Sequence, residues 1–380
     1  MRRRMFGNRR MRRTLLKLLG VIVALLLVGS LLPQLIIFLM RPLSTSLDET
    51  FTTTPTDAIV LGQSHTITST THLQTSPADK RKHVHLSARR EVSLDERPAL
   101  IFDDSIDLIR RSAFPIADPT STVTAELPGM GTTIASDAFI REGLQYFFPA
   151  EAERRSFDYF DPIAQRPTPL DYVDRDEHAG LRTYLFHQRV NPVNLVEAGV
   201  RARTQPEQVG ETVTGDRRHR LSELPEDQQE AILHLERTLP ATQLYTAEER
   251  AQRGLSASEP VRVHPYYSVD RKVWVEPKSG GIIDTVDNVL IVLAASDQDA
   301  ADDAAAWHAG KSLNPDRTVL ATTLRWDDQT VQQQRDNAAH QLHTLRFFQW
   351  ISVVSNAAIA VVAILMVVVR VRGQRALRQR

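Results

Sequence analysis

Residues 18–40 read LLGVIVALLLVGSLLPQLIIFLM and residues 350–369 read WISVVSNAAIAVVAILMVVV, stretches of 23 and 20 residues without a charge. At about 1.5 Å per residue, either one as a helix crosses the roughly 30 Å hydrocarbon core of a bilayer. Pro33 predicts a kink in the first, which a membrane helix tolerates. Seven arginines lie within residues 1–13, and Arg370, Arg372, Arg375, Arg378 and Arg380 close the chain. Each basic cluster thus borders an apolar stretch on the side nearest a chain end. Trp350 suits the interfacial belt, and excess arginine marks the cytoplasmic side, so both tails are expected in the cytoplasm. The rival reading of the first stretch is a cleaved signal peptide cut near Val28, Gly29 and Ser30. The apolar run continues past that point and no Ala-x-Ala follows, which favours an uncleaved anchor.

The expected fold class is α+β: a β-rich extracytoplasmic domain, residues 41–349, between transmembrane helices 18–40 and 350–369 in the plasma membrane. Residues 1–17 and 370–380 are the cytoplasmic tails of this two-pass layout. Asp327 and Asp328 are placed to cap a long stalk helix that runs into the second anchor. Val331, Ala338, Leu342 and Leu345 recur on one face of it. Ser352, Asn356, Ala360 and Ala363 give the second anchor a small, polar face suited to close packing on the first.

Composition narrows the class further. Apolar residues make up 42% and mean hydropathy is −0.27, which excludes a polytopic transporter. Lys and Arg equal Asp and Glu at 46 each, so with the arginines gathered at the ends the middle is acidic, against a nucleic-acid partner. Cysteine is absent, which excludes disulfides, thiolate metal sites and cysteine nucleophiles.

Between the anchors, β-favouring runs alternate with turn residues. Residues 65–72, 82–86 and 122–127 read as strands, as does 181–190 after the turn at Gly180. Residues 261–277 and 282–293, joined by Lys278-Ser279-Gly280-Gly281, read as a hairpin, and 318–326 as a final strand. Phe102, Ile106 and Ile109 fall at helical spacing, so 100–110 is expected to be a short helix. Helices are also expected from Pro225 to just before Pro240 and over 299–309, whereas 201–225 lack periodicity.

Catalytic motifs are missing: there is no G-x-S-x-G, H-E-x-x-H, P-loop or Rossmann fingerprint. No cofactor, metal or catalytic residue is therefore expected. His83 and His85 share one side of a strand without a third ligand nearby. Adjacent carboxylates such as Asp103-Asp104 read as solvated or capping groups, and Asp270 and Arg271 should face opposite ways on a strand. The aromatic residues of the strong β regions are the remaining candidates. Core packing is their default role. The functional alternative is a lipid- or glycan-binding groove built by Tyr159, Phe160, Tyr184, Phe186, Tyr266, Tyr267 and Trp274.

Two segments carry a family resemblance: YFDPIAQRPTPLDYVDRDEHAGLRTYLFHQRV, residues 159–190, and YYSVDRKVWVEPKSGGII, residues 266–283. With the two anchors, they resemble the actinobacterial PorA-type family, two-anchor envelope proteins sharing a domain of unknown function. The resemblance implies an accessory role in lipoglycan (lipomannan and lipoarabinomannan) assembly. The expected partners are the lipid bilayer and a lipid-linked glycan or an envelope glycosyltransferase. The alternatives are a pore or channel subunit, as the family label suggests, or a glycosyl-transferring enzyme using carboxylates such as Asp270 or Glu276.

Overall fold

Alternating side chains give each β-favouring run one face to bury, and the runs pair into a single curled sheet. A computed structural model describes residues 2–40, 42–201, 205–209, 212–217 and 221–378. Met1 and Arg380, which belong to the basic flanks read above, and Arg41, the first residue of the expected outer domain, lie outside the described residues. There are two compact units, Leu43–Ala338 and the pair Met1–Pro42 with Ala339–Arg380.

The larger unit begins with a meander of β1 (Asp48–Thr52), β2 (Thr56–Val60), β3 (Gln63–Pro77), β4 (His83–Leu94), β5 (Arg97–Ile109), β6 (Thr122–Leu127) and β7 (Thr132–Ala135). A second set follows: β8 (Phe157–Asp161), β9 (Arg166–His178) and β10 (Leu181–Asn194). After α3 (Leu195–Arg201), β11 (Gln205–Val209) and β12 (Thr212–Arg217) form a separate two-stranded sheet. Then come α4 (Glu226–Leu233), β13 (Arg237–Pro240), α5 (Ala241–Leu244) and α6 (Ala247–Arg253). The hairpin of β14 (Pro260–Val275) and β15 (Ile282–Ala294), α7 (Asp297–His308) and β16 (Thr318–Arg325) complete the sheet. Its order is β7-β6-β5-β4-β3-β2-β16-β15-β14-β10-β9-β8, with β1 on β3 and β13 on β14, and every named strand pair is antiparallel.

Residues 139–148 close the curl. At one end, Phe139 and Ser121 exchange backbone hydrogen bonds of 3.0 and 3.2 Å. At the other, Leu144 donates to Asp158 and accepts from Phe160, both at 2.8 Å, beside the free edge of β8. Phe139 then joins Phe102, Val123 and Phe160 in one buried cluster, so strands from opposite ends of the order meet across this strap. Gly143 makes the close passage feasible: its φ is +89°, and a Cβ there would stand 2.7 Å from the Asp158 carbonyl oxygen.

Two expectations fail. Residues 100–110 form part of β5, not a helix. Phe102 and Ile106 satisfy both a helical and a two-residue period, and pairing with β4 and β6 selects the latter, burying Asp104 and Leu108 on the same face. The helix after Pro225 stops at Leu233, because residues 237–240 pair with β14.

In the smaller unit, α1 (Arg2–Leu26) passes through a π-helical turn, Leu27–Leu31, into α2 (Leu32–Met40). The other helix is the apolar part of α8 (Asp328–Arg378), a single helix of 51 residues capped as read, with Thr330 N–H donating to Asp327 at 2.7 Å. The earlier turns of α8 belong to the larger unit and bury Gln334 and Ala338, with Val331 half-buried.

Candidate functional site

The interior of the curl is charged. Alternation on β14 sends Arg271 inward with Tyr267, Val269, Val273 and Val275. Its Nε donates to Asp287 at 2.9 Å, Nη1 to Gln188 at 2.8 Å, and Nη2 to Asp161 at 3.3 Å. Asp161 also accepts from the Tyr267 hydroxyl at 3.0 Å and from the backbone of Ile163 and Ala164, which ties the network to the turn after β8. Burial works against the guanidinium charge, yet Asp287 and Asp161 outweigh it and hold the Arg271 pKa well above its usual value. The Tyr267 phenol is pushed up by burial and by the charge of Asp161.

A second knot lies under the strap. Arg141 donates to both carboxylate oxygens of Asp104, at 2.9 and 2.5 Å, with both side chains wholly out of solvent. Tyr146 donates to Asp104 at 2.6 Å, and the guanidinium sits 4.4 Å from the Phe160 ring centroid. These groups bind each other, so this part of the interior is a packed polar knot.

Outside, β3, β4 and β5 present a polar face. Cross-strand pairs join His72 to Asp48, Arg89 to Asp103 and His85 to Asp107, each at 2.7 Å. Two adjoining hollows of about 370 and 310 Å³ share Gln74 and Ser87 and are lined by groups such as Ser46, Thr75, Thr122 and Thr124. Among the described residues, no group of three or more His, Asp or Glu converges as for a metal ion.

The aromatic candidates are dispersed. Tyr159 and Phe186 are buried in one cluster with Phe148 and Phe157, and half-buried Tyr184 packs against it. Phe160 belongs to the cluster under the strap, Tyr267 faces the interior, and Tyr266 lies on the other face of β14 against α7. Trp274 stacks on His178 at 4.4 Å and donates to Asp176 at 2.8 Å. Tyr159 donates to the Gln145 carbonyl, Tyr266 to Asp297 at 2.8 Å, and Tyr184 accepts from Arg154 at 3.1 Å. They do not share one groove.

The named acids are likewise occupied. Asp270 faces away from Arg271, as read, and holds His187 at 2.9 Å and Arg189 at 2.6 Å. Glu276 accepts from Ser279 N and Oγ, both at 2.7 Å, and so shapes the hairpin turn. Arg141, Asp161 and Asp287 escaped sequence reading. Asp161 and Asp287 had only the signal of a charge at an inward position of a strand, and Arg141, in the strap outside any strand, had none.

The helix pair supplies the third arrangement. Pro33 has no N–H to offer the carbonyl four residues earlier, that of Gly29, and the Ser352 hydroxyl donates to this carbonyl at 2.5 Å. A Cβ at Gly29 would collide with Ser355, which is buried there. The close approach thus uses Ser352 and Ser355, while Asn356, Ala360 and Ala363 stay exposed. Both apolar helices are long enough to cross a membrane by length and composition.

Comparison with known proteins bears on what these arrangements serve. Residues 16–369 match the model of a family described as Porin PorA. A Porin PorA of Corynebacterium resistens is 31% identical over 283 residues, covering 72% of this chain and 67% of the relative. Another, of Corynebacterium amycolatum, is 28% identical over 236 residues, covering 62% of this chain and 55% of the relative. The chain thus spans little more than half the length of the second relative. Both relatives are named as porins, which overturns the expected role in lipoglycan assembly. That expectation came with the resemblance and was never anchored in a residue. The family and the two apolar helices agree with a membrane or cell-envelope location.

Proposed function

We propose, from the premise that this chain belongs to the Porin PorA family, that it is a pore or channel subunit of the cell envelope whose conducting wall is helical. One observation carries the helical wall. Among the described residues, the large apolar side chains that are exposed lie on the two apolar helices, apart from Ile59, Leu61, Val173 and Leu233. A membrane barrel needs an outward apolar band on its strands, and the outer face of β3 to β5 bears cross-strand ion pairs instead. Inside the sheet, Phe186, Tyr267 and Arg271 are buried and occupy the interior.

In this reading the partner is the bilayer itself. The chain crosses it twice, the arginine-rich ends stay in the cytoplasm, and the sheet unit lies outside. Lipid-facing Val354, Val361, Leu365 and Val368 supply the apolar surface, and several copies together supply enough helices to surround water.

The test is planar-bilayer recording with the purified full chain. Discrete, voltage-dependent steps are expected; a bilayer that stays silent at all voltages with protein inserted overturns the reading. Accessibility of a tag after Arg380 from outside intact cells would overturn the topology.

A further inference from the structure

Two helices per chain cannot enclose a water-filled path, so a helical pore is incomplete without neighbouring copies. Gly29 occupies the side of α8 that carries Ser352 and Ser355. One turn on from Ser352, Asn356 is exposed, and among the described residues its carboxamide has no hydrogen-bond partner. Lipid tails offer neither donor nor acceptor, so a carboxamide in the middle of an apolar helix is unsatisfied there. Ala360 and Ala363 continue the same side with small, exposed side chains that let another helix come close.

We propose that α8 docks onto α8 of a second copy along the face of Asn356, Ala360 and Ala363, with the two Asn356 carboxamides bonded to each other. This rests on the pore reading for its membrane setting and names the partner that reading requires. The occupant follows from chemistry. A carboxamide carries a donor and an acceptor, so it is complementary to its own copy. The opposite side of the helix offers only apolar groups, exposed Val354 and Val361 among them.

The chain has no cysteine, so single replacements report without background. The full chain carrying Ala363→Cys, which leaves Asn356 in place, or Val361→Cys is placed in phospholipid vesicles and mildly oxidised. A covalent dimer is expected from Ala363→Cys and not from Val361→Cys; no dimer at position 363, or equal yields at both, overturns the proposal. In the same vesicles, energy transfer between labelled copies should show Asn356→Leu associating about 5- to 30-fold more weakly than the unchanged chain. Asn356→Gln should retain most of the association, and equal affinity for Asn356→Leu overturns the seam. Bilayer currents separate the two readings. Dimers through position 363 without current sustain the seam and sink the pore; current indifferent to Asn356→Leu, with no dimer at 363, does the reverse.

Discussion

Arg271 concentrates the stability of the interior in one side chain. Replacing it with Ala leaves the buried carboxylate of Asp161 and the half-buried one of Asp287 without their cation. Such orphaned charges cost about 3–5 kcal/mol, which urea unfolding followed by circular dichroism will read. Arg271→Met combined with Asp161→Asn and Asp287→Asn should recover most of the loss, because no charge is then left unpaired. Asp303 provides a pH test. Burial raises its carboxyl from the ordinary 3.8 to about 6, against the pull of Arg317. The folded chain therefore keeps a proton that the unfolded chain has released over that interval. The contribution of this group to stability is absent above about pH 6, grows as the pH falls through that value, and is complete below the unfolded value. Asp303→Asn should flatten this limb in a series of urea midpoints. The partners of neither residue were legible beforehand. Asp161 and Arg271 stand 110 positions apart, and no local pattern pairs groups across such a distance.

Elements were legible where one period ruled. The 14–15 hairpin emerged from unbroken β-favouring runs around a Ser-Gly-Gly turn, and the capped start of α8 from Asp327 and Asp328. Strand β5 was not, since apolar side chains four apart fit a helix as well as a strand and only its neighbours decide. The strap across 139–148 lacks any period, so its role is visible only in three dimensions. Gly143→Ala should cost about 1–3 kcal/mol, since the left-handed backbone and the nearby Asp158 carbonyl both resist a Cβ. Calorimetry will check it, and an unchanged melting temperature would mean the strap carries no load. In the helix pair, Gly29→Leu should separate α8 from the first helix. Spin labels on Leu16→Cys and Val371→Cys, both exposed, should then move apart, and an unchanged separation would mean that Gly29 does not set the approach.

For the molecule as a whole, the layout of two apolar ends around a polar middle was open to inspection from the first reading. The kind of function was not. Aromatic residues clustered in sequence suggested a groove, yet Tyr266 and Tyr267 part to opposite faces of one strand, as neighbours on a strand must. A protein reduced to residues 43–338, the larger unit, is expected to stay soluble and monomeric without detergent, because few large apolar side chains are exposed on it. Sedimentation in plain buffer decides this; aggregation would reveal a sticky surface on the sheet.

The curl is a hoop fastened by a clasp. Its end strands β7 and β8 share no ladder, and a short segment bridges from Ser121, beside β6, to β8 with two backbone hydrogen bonds at each side and one buried ion pair behind it. Breathing of the fold should therefore begin there, with the amides of Phe139 and Leu144 trading hydrogen for deuterium well before those between β14 and β15.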